Sequence, residues 1–259
     1  MGQSPHIRGG RLVARLEPML FVPDTHRPFH DKRAWRLMLK AAKALKPEIL
    51  VCLGDLADFY AISSHSKNPS RATSFDQEID DVNVGLDELD ALGAKRKEFI
   101  AGNHEFRLER YLADRAPELN GMVSIAKAFR LKERGWTYTP YKAHTRIGKL
   151  YLTHDVGVAG RNAVFKALDT YQHSVATGHS HRLQYIVEGN AIGEYKVSCL
   201  FGWLGDARAV DYMHQVNVRK NWALGFGIGY HNPKNGVCYV TPIPIIKYTC
   251  VVNGQLFEG

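Results

Sequence analysis

The stretch Ile49-Leu50-Val51-Cys52-Leu53-Gly54-Asp55-Leu56-Ala57-Asp58 decides how this chain is read. Five consecutive apolar residues are typical of a central strand buried on both faces. The run ends at Gly54, where a missing Cβ lets the backbone bend sharply and deliver Asp55. In an open α/β sheet the ligand crevice lies beyond the carboxyl ends of the strands. Asp55 stands where chemistry is expected.

The same arrangement recurs to either side. Met19-Leu20-Phe21-Val22 is a short buried strand ending at Asp24, two residues before His26. Glu98-Phe99-Ile100-Ala101 ends in Gly102-Asn103-His104-Glu105, Leu150-Tyr151-Leu152 runs into His154, and Ser174-Val175-Ala176-Thr177 ends in Gly178-His179-Ser180-His181. Helices are expected between the early strands. Asp31 caps one that runs through Lys46, with Trp35, Met38, Leu39, Ala42 and Leu45 on one face and Pro47 as its stop. Asp76 to Leu92 carries Ile79, Val82, Leu86 and Leu89 at helical spacing, with Gly93 past its end. The Ser-, Asn- and Pro-rich residues 59–74 read as a loop. Two helices are expected at 106–114 and 118–133, the second carrying Leu119, Met122, Ile125, Ala126 and Phe129, and another at 159–170.

From Trp136 onward strands dominate: 136–141, then 185–187, 195–201, 224–230, 237–241 and 245–251. Alternation first and strands afterwards predict an α/β fold, two sheets packed face to face with helices outside. No linker divides the chain. It is read as a flexible N-terminus over 1–15 and a single domain over 16–259.

Bulk composition agrees with a globular enzyme: 45% hydrophobic and 23% charged residues. No apolar run is long enough for a membrane span, and the polar, basic start has no signal-peptide core. Cys52, Cys199, Cys238 and Cys250 have no CxxC spacing and read as buried free thiols, which suits a reducing, cytoplasmic setting. The formal net charge of +8, from 34 Lys and Arg against 26 Asp and Glu, favours anionic substrates. The cations are scattered, so charge alone does not single out nucleic acid.

Seven candidate ligands follow from the motifs: Asp24, His26, Asp55, Asn103, His154, His179 and His181. That count suits two divalent cations that share one carboxylate and keep positions open for water and substrate. Such a centre performs in-line displacement at phosphorus by a metal-bound hydroxide. Asp24 and His26, two apart, share a face if the segment is extended. His179 and His181 have the same spacing, but in a tight turn they serve one metal or two. Asp55 is placed as the bridge, and Asn103 supplies a neutral carbonyl. His104, adjacent to Asn103, is expected to stay off the metals and to stabilise the transferring phosphoryl group or protonate the leaving oxygen.

Asp24-Thr25-His26, Gly54–Asp58, Gly102–Glu105, His154 and Gly178–His181 together resemble the calcineurin-like metallophosphoesterase superfamily, whose pattern is DxH, GDxxD, GNHE or GNHD, a histidine, and GHxH. The resemblance implies a four-layer α/β/β/α sandwich of two mixed sheets flanked by helices. It implies one metal on Asp24, His26, Asp55 and His181 and another on Asp55, Asn103, His154 and His179, with His104 as the catalytic histidine beside them. Asp58 matches the last Asp of GDxxD and is expected to orient a ligand histidine. Two departures stand out. Thr153-His154-Asp155 replaces the usual Gly-His, and Phe59-Tyr60 follow GDxxD where the family's protein phosphatases carry Arg. The second argues against a Ser/Thr protein phosphatase.

Two divalent ions are therefore expected, Mn favoured, with Fe, Ni, Zn or Mg also suited to mixed N/O ligands. The expected activity is hydrolysis of a phosphate ester, foremost a phosphodiester of nucleic acid or a nucleotide. The alternatives are a phosphomonoesterase on a small metabolite or nucleotide and a non-catalytic scaffold, which eroded ligands would mark. Arg27, His30 and Arg107 are candidate phosphate contacts. Segment 203–222, with Asp206, Arg208, Asp211, His214, Arg219 and Lys220 between Trp203 and Trp222, reads as a rim over the site, an oligomer contact or an ordinary loop. Oligomeric state stays open.

Overall fold

A computed structural model describes residues 15–65, 67, 71, 73–119, 121–209 and 221–259. The expectations for residues 1–14 and for Asp211, His214, Arg219 and Lys220 lie outside these. The strands are β1 (Glu17–Val22), β2 (Ile49–Cys52), β3 (Arg96–Ile100), β4 (Thr137–Thr139), β5 (Thr145–Ile147), β6 (Leu150–Leu152), β7 (Val175–Thr177), β8 (Leu183–Gly189), β9 (Tyr195–Phe201), β10 (Gly225–His231), β11 (Cys238–Pro244), β12 (Thr249–Val252) and β13 (Gln255–Glu258). The helices are α1 (Lys32–Leu45), α2 (Phe75–Asp90), α3 (Phe106–Arg115), α4 (Ile125–Ala128) and α5 (Ala163–Tyr171).

The first sheet has the order β11-β10-β1-β2-β3-β4 and the second β5-β6-β7-β9-β8, with β12 and β13 forming a hairpin of their own. β1 to β4 run parallel, and β10 lies antiparallel to β1. In the second sheet β6, β7 and β9 are parallel, while β5 and β8 close the edges antiparallel.

Side-chain alternation sets the layers. Leu20, Val22, Leu50, Cys52 and Phe99 pack with Trp35, Met38, Val82 and Leu86 of the helices. Their neighbours Met19, Phe21, Ile49, Val51 and Ile100 face the other way and meet Leu150, Leu152, Cys199 and Phe201 of the second sheet. This is why residues 49–53 are apolar at every position: both faces of β2 are covered. Phe21 stacks on Phe201 with centroids 4.7 Å apart, and a Cβ at Gly227 would lie 2.4 Å from the Phe201 ring. Ala163 and Val164 of α5 cover Leu200 on the outer face of the second sheet. Helix, sheet, sheet and helix complete the expected four layers.

Local chemistry sets the helix ends. Asp31 Oδ1 accepts from Arg33 N at 3.0 Å and Ala34 N at 2.9 Å, the expected cap of α1. α2 begins a residue early on a reciprocal capping box between Ser74 and Gln77. The four cysteines are free, and Cys238 is only partly buried.

The expected helix over 118–133 is corrected. Pro117–Leu119 is a single 3-10 turn, Gly121 takes φ +80°, and Ser124 recaps the four-residue α4. Leu119 and Met122 are exposed, so of the expected stripe Ile125 and Phe129 enter the core and Ala126 packs against its edge. The strand expected over 245–251 shortens to β12 because Lys247 and Tyr248 turn the chain at φ 50° and 61°. Two short strands, β5 and β13, were not expected. Among the described residues no helix is long and apolar enough to cross a membrane.

Candidate metal centre

Parallel pairing of β1, β2 and β3 brings their carboxyl ends side by side, and the loops after them carry Asp24, Asp55 and Asn103. β6 and β7 do the same for His154 and for His179 and His181. The loops are stitched together. Thr25 N and His26 N both donate to Asp55 O at 2.8 and 2.9 Å, and His179 N donates to Asp24 Oδ1 at 2.9 Å. Gly178 N donates to His154 O at 3.0 Å.

All seven candidate ligands converge. Asp24, His26 and His181 form one group, and Asp55, His154 and His179 another, with one donor atom from each residue inside 4.8 Å of the others. His181 Nε2 lies 2.9 Å from Asp24 Oδ2 and 3.1 Å from His26 Nε2. His154 Nε2 lies 3.4 Å from Asp55 Oδ2 and 3.0 Å from Asn103 Oδ1. His154 Nδ1 is held 2.7 Å from Leu53 O, so the Thr153 that replaces glycine leaves the ring aimed inward. A His26–Asp58–His104 group adjoins the first.

The convergence is not that of an extended strand. His26, Asp55, His179 and His181 have φ of 55°, 50°, 64° and 55°, a left-handed region that L side chains rarely enter. The expectation that Asp24 and His26 share a face by simple alternation is therefore corrected: a left-handed turn at His26 brings them together. Strain of this kind costs on the order of 1–3 kcal/mol per residue and persists where the surroundings enforce it. Crowding supplies the enforcement. A Cβ on Gly102 would lie 2.1 Å from Asp55 Oδ1, and one on Gly178 2.5 Å from Asp24 Oδ1. Gly54 does more than bend the chain, since its Cβ would meet His154 Nδ1 at 2.4 Å.

Charge is dense and buried. Burial and His104 push His26 down to about 3. Against its burial, the Asp55 and Asp24 carboxylates lift His154 to about 10. Burial would raise Asp55 and Asp24, but neighbouring imidazoles outweigh it and hold both below the ordinary carboxylate range. His104 is raised despite burial, by Asp55 and Asp58.

These residues fit divalent cations. Asp24 Oδ2 is buried against His181 Nε2, and among the described residues His26 Nδ1, His181 Nδ1 and Asp58 Oδ2 are buried without a hydrogen-bond partner. Two imidazole nitrogens 3.1 Å apart is the approach expected of ligands aimed at one point. Bound cations would replace the proton that these carboxylates hold on His154, coupling binding to proton release.

The remaining candidates divide. Asp58 stands between two imidazoles, its carboxylate 3.7 Å from both His26 Nδ1 and His104 Nδ1, while its carbonyl lies 2.9 Å from His104 Nδ1. Arg107 donates to Asp58 and reaches His104 Nε2 at 3.1 Å, beside the centre. Arg27 and His30 are engaged elsewhere, contrary to their expected place on a phosphate. The Arg27 guanidinium pairs with Asp81 and Glu88 of α2 and lies 4.4 Å over Trp35. His30 is buried against Trp35 and 3.9 Å from Asp81.

One feature escaped the sequence reading, and the rim reading of segment 203–222 gains support at its two ends. Glu105 is fully buried and its carboxylate accepts from Asp55 N at 2.8 Å, Gly102 N at 2.7 Å and Ala57 N at 2.9 Å. It staples the Asp55 and Asn103 loops together, and burial with Asp55 nearby raises it to about 7. Its place in the GNHE motif was the available signal. The ends of segment 203–222 form part of the wall: Trp203 stacks on His181 at 4.9 Å and Trp222 meets its edge at 4.0 Å.

The chain belongs to the calcineurin-like phosphoesterase family, whose profile matches residues 18–222. Members of this family are metal-dependent phosphoesterases. No curated protein sequence matches the chain. Similar solved structures include Vacuolar Protein Sorting 29 from Cryptosporidium parvum, at 16% identity and TM-score 0.46, covering 93% of this chain and 94% of that one. A single mutant of Vps29 from Entamoeba histolytica has 14% identity and TM-score 0.44, with 92% and 95% covered. A protein of Thermus thermophilus, TT1561, has 10% identity and TM-score 0.38, with 88% and 99% covered.

Proposed function

We propose that this protein is a metal-dependent phosphodiesterase acting on nucleic acid or a nucleotide. The observation that carries the reading is the pair of adjoining buried groups at the strand ends, with imidazole nitrogens and carboxylate oxygens crowded toward common points. Asp24, His26, Asp55 and His181 would hold one cation and Asp55, Asn103, His154 and His179 the other, with Mn(II) the ion of first choice. Two such cations lower the pKa of bound water and neutralise phosphate oxygens.

This chain's residues do the rest. Asp55 would serve both cation sites. Arg107 offers its guanidinium to a phosphate oxygen from beside His104, a planar fork suited to that geometry. His104, its Nδ1 fixed by the Asp58 carbonyl, faces the leaving oxygen with Nε2 and protonates it once Arg107, which donates to that nitrogen in the free protein, has moved onto the phosphate. Asp58 orients His104 and His26 rather than binding metal. The positive balance and the absence of an arginine directly after Asp58 favour a diester over a phosphoprotein.

Hydrolysis of bis-p-nitrophenyl phosphate and of p-nitrophenyl phosphate in Mn(II) separates the two catalytic readings. A higher kcat/KM on the diester is expected. A strong preference for the monoester would replace this reading with a phosphomonoesterase, and inertness on both with intact metal would favour a scaffold.

A further inference from the structure

Behind the two tryptophans that touch His181 lies a trough. One cavity of about 290 Å³ is lined by Trp203, Trp222 and Leu224, and another of about 450 Å³ by Phe29, Lys32 and Arg36. They share Asp31, Asp206, Arg208 and Tyr248 and so form one continuous depression. Each is near the size of a small-ligand pocket, roughly 300–1,000 Å³.

The two ends differ in chemistry. At the end nearest the candidate centre the walls are indoles, Trp203 stacked on His181 and Trp222 half-buried at its edge. At the far end the first turns of α1 present Lys32 and Arg36, four residues apart and therefore on one face. Both are exposed, and among the described residues neither has a carboxylate partner. The two acids of the trough are already engaged. Asp31 Oδ1 caps α1 and its Oδ2 accepts from the Tyr248 hydroxyl at 2.9 Å. Asp206 is paired with Arg208 through contacts of 3.0 and 2.8 Å. Between the ends lies the Tyr248 ring, with the Arg33 guanidinium 4.2 Å over it.

Aromatic surfaces interleaved with unneutralised cations match a flexible strand that presents planar bases and phosphates in turn. A duplex hides its base faces and has nothing to stack on an indole. We propose that this trough binds a single strand of nucleic acid flanking the phosphate held at the candidate centre, a base on Trp222 and its backbone on Lys32 and Arg36. This rests on the phosphodiesterase reading above and narrows it to single-stranded substrates.

The test uses the full chain and fluorescence anisotropy with a labelled oligo-dT of about twelve nucleotides, in EDTA so that binding is read apart from turnover. Wild type is expected to prefer the strand over a duplex of equal length. Lys32→Ala/Arg36→Ala is expected to weaken strand binding about tenfold and to make the slope of log affinity against log salt shallower by roughly 1.4. Trp222→Ala is expected to weaken binding by about tenfold with little change in that slope. The Lys32/Arg36 variant should turn over bis-p-nitrophenyl phosphate within about twofold of wild type, since neither residue approaches the centre. Unchanged oligo-dT affinity in that variant overturns the trough, as does equal binding of strand and duplex. Wild type that hydrolyses the model diester but ignores oligo-dT removes the trough and leaves the phosphodiesterase reading standing. Strand binding lost in the variants of a chain inert on both esters keeps the trough and removes the catalytic reading.

Discussion

Leu20, Leu50 and Phe99 are wholly buried among apolar neighbours under the helices, and a few residues further along the same strands Asp24, Asp55 and His104 are nearly as buried among charges. The first region obeys ordinary packing: alternating side chains, capped helices, left-handed backbone at helix ends. The second breaks several rules at once. Four non-glycine residues are left-handed, imidazole nitrogens crowd each other, and buried polar atoms stand unpartnered. Stability built in the helix-facing layer supports the strain at the strand ends. Substitutions in the two regions should therefore have opposite signatures.

Gly102 is the sharpest place to break that contrast. Gly102→Ala sets a Cβ 2.1 Å from Asp55 Oδ1 and 2.5 Å from Asp55 N, and both the carboxylate and the backbone must shift. Metal affinity and kcat are expected to fall by at least the roughly 10–100-fold typical of disturbed ligand supports. Titration calorimetry with Mn(II) and steady-state kinetics on the diester would show it; near wild-type values would mean the centre tolerates displacement.

Phe99→Ala should give the opposite pattern. A large, fully buried ring that packs on Phe129 and Trp136 is lost, at a cost of about 3–5 kcal/mol. Denaturant unfolding should record this, while Mn(II) affinity of the folded protein stays close to wild type.

His30 sharpens the comparison at its boundary. Burial first, then Arg27, lowers it to about 4, below its ordinary value of 6.5. Between those values the unfolded chain takes up a proton that the folded chain refuses, so stability drops as pH falls from 6.5 toward 4. His30→Phe removes that component, and its stability relative to wild type should rise by on the order of 1–3 kcal/mol across the window. Parallel stability–pH curves would show that His30 is not held neutral in the fold.

The layered fold was legible because strands buried on two faces leave an unbroken apolar run and because Asp31 and Pro47 punctuate α1. The motif residues were legible by type and order. Their geometry was not, since nothing in Asp24-Thr25-His26 announces a left-handed His26. Arg27 and Arg107 look alike in sequence, yet one is drawn to the acids of α2, 54 and 61 residues away, and the other turns toward Asp58. The supposed helix at 118–133 misled because apolar spacing persists through Gly121 and Ser124, where the backbone breaks. Tryptophans 203 and 222 declare their contact with His181 only after both sheets are assembled.

Metal stoichiometry of three proteins tests the central claim most directly: wild type, Asp55→Asn and His104→Ala, each loaded with Mn(II), desalted and measured by elemental analysis beside turnover of bis-p-nitrophenyl phosphate. The account predicts two ions per wild-type chain, fewer with turnover lost in Asp55→Asn, and two ions with turnover lost in His104→Ala. A wild-type chain that retains no divalent ion, or a His104→Ala chain that loses its ions with its activity, would contradict it.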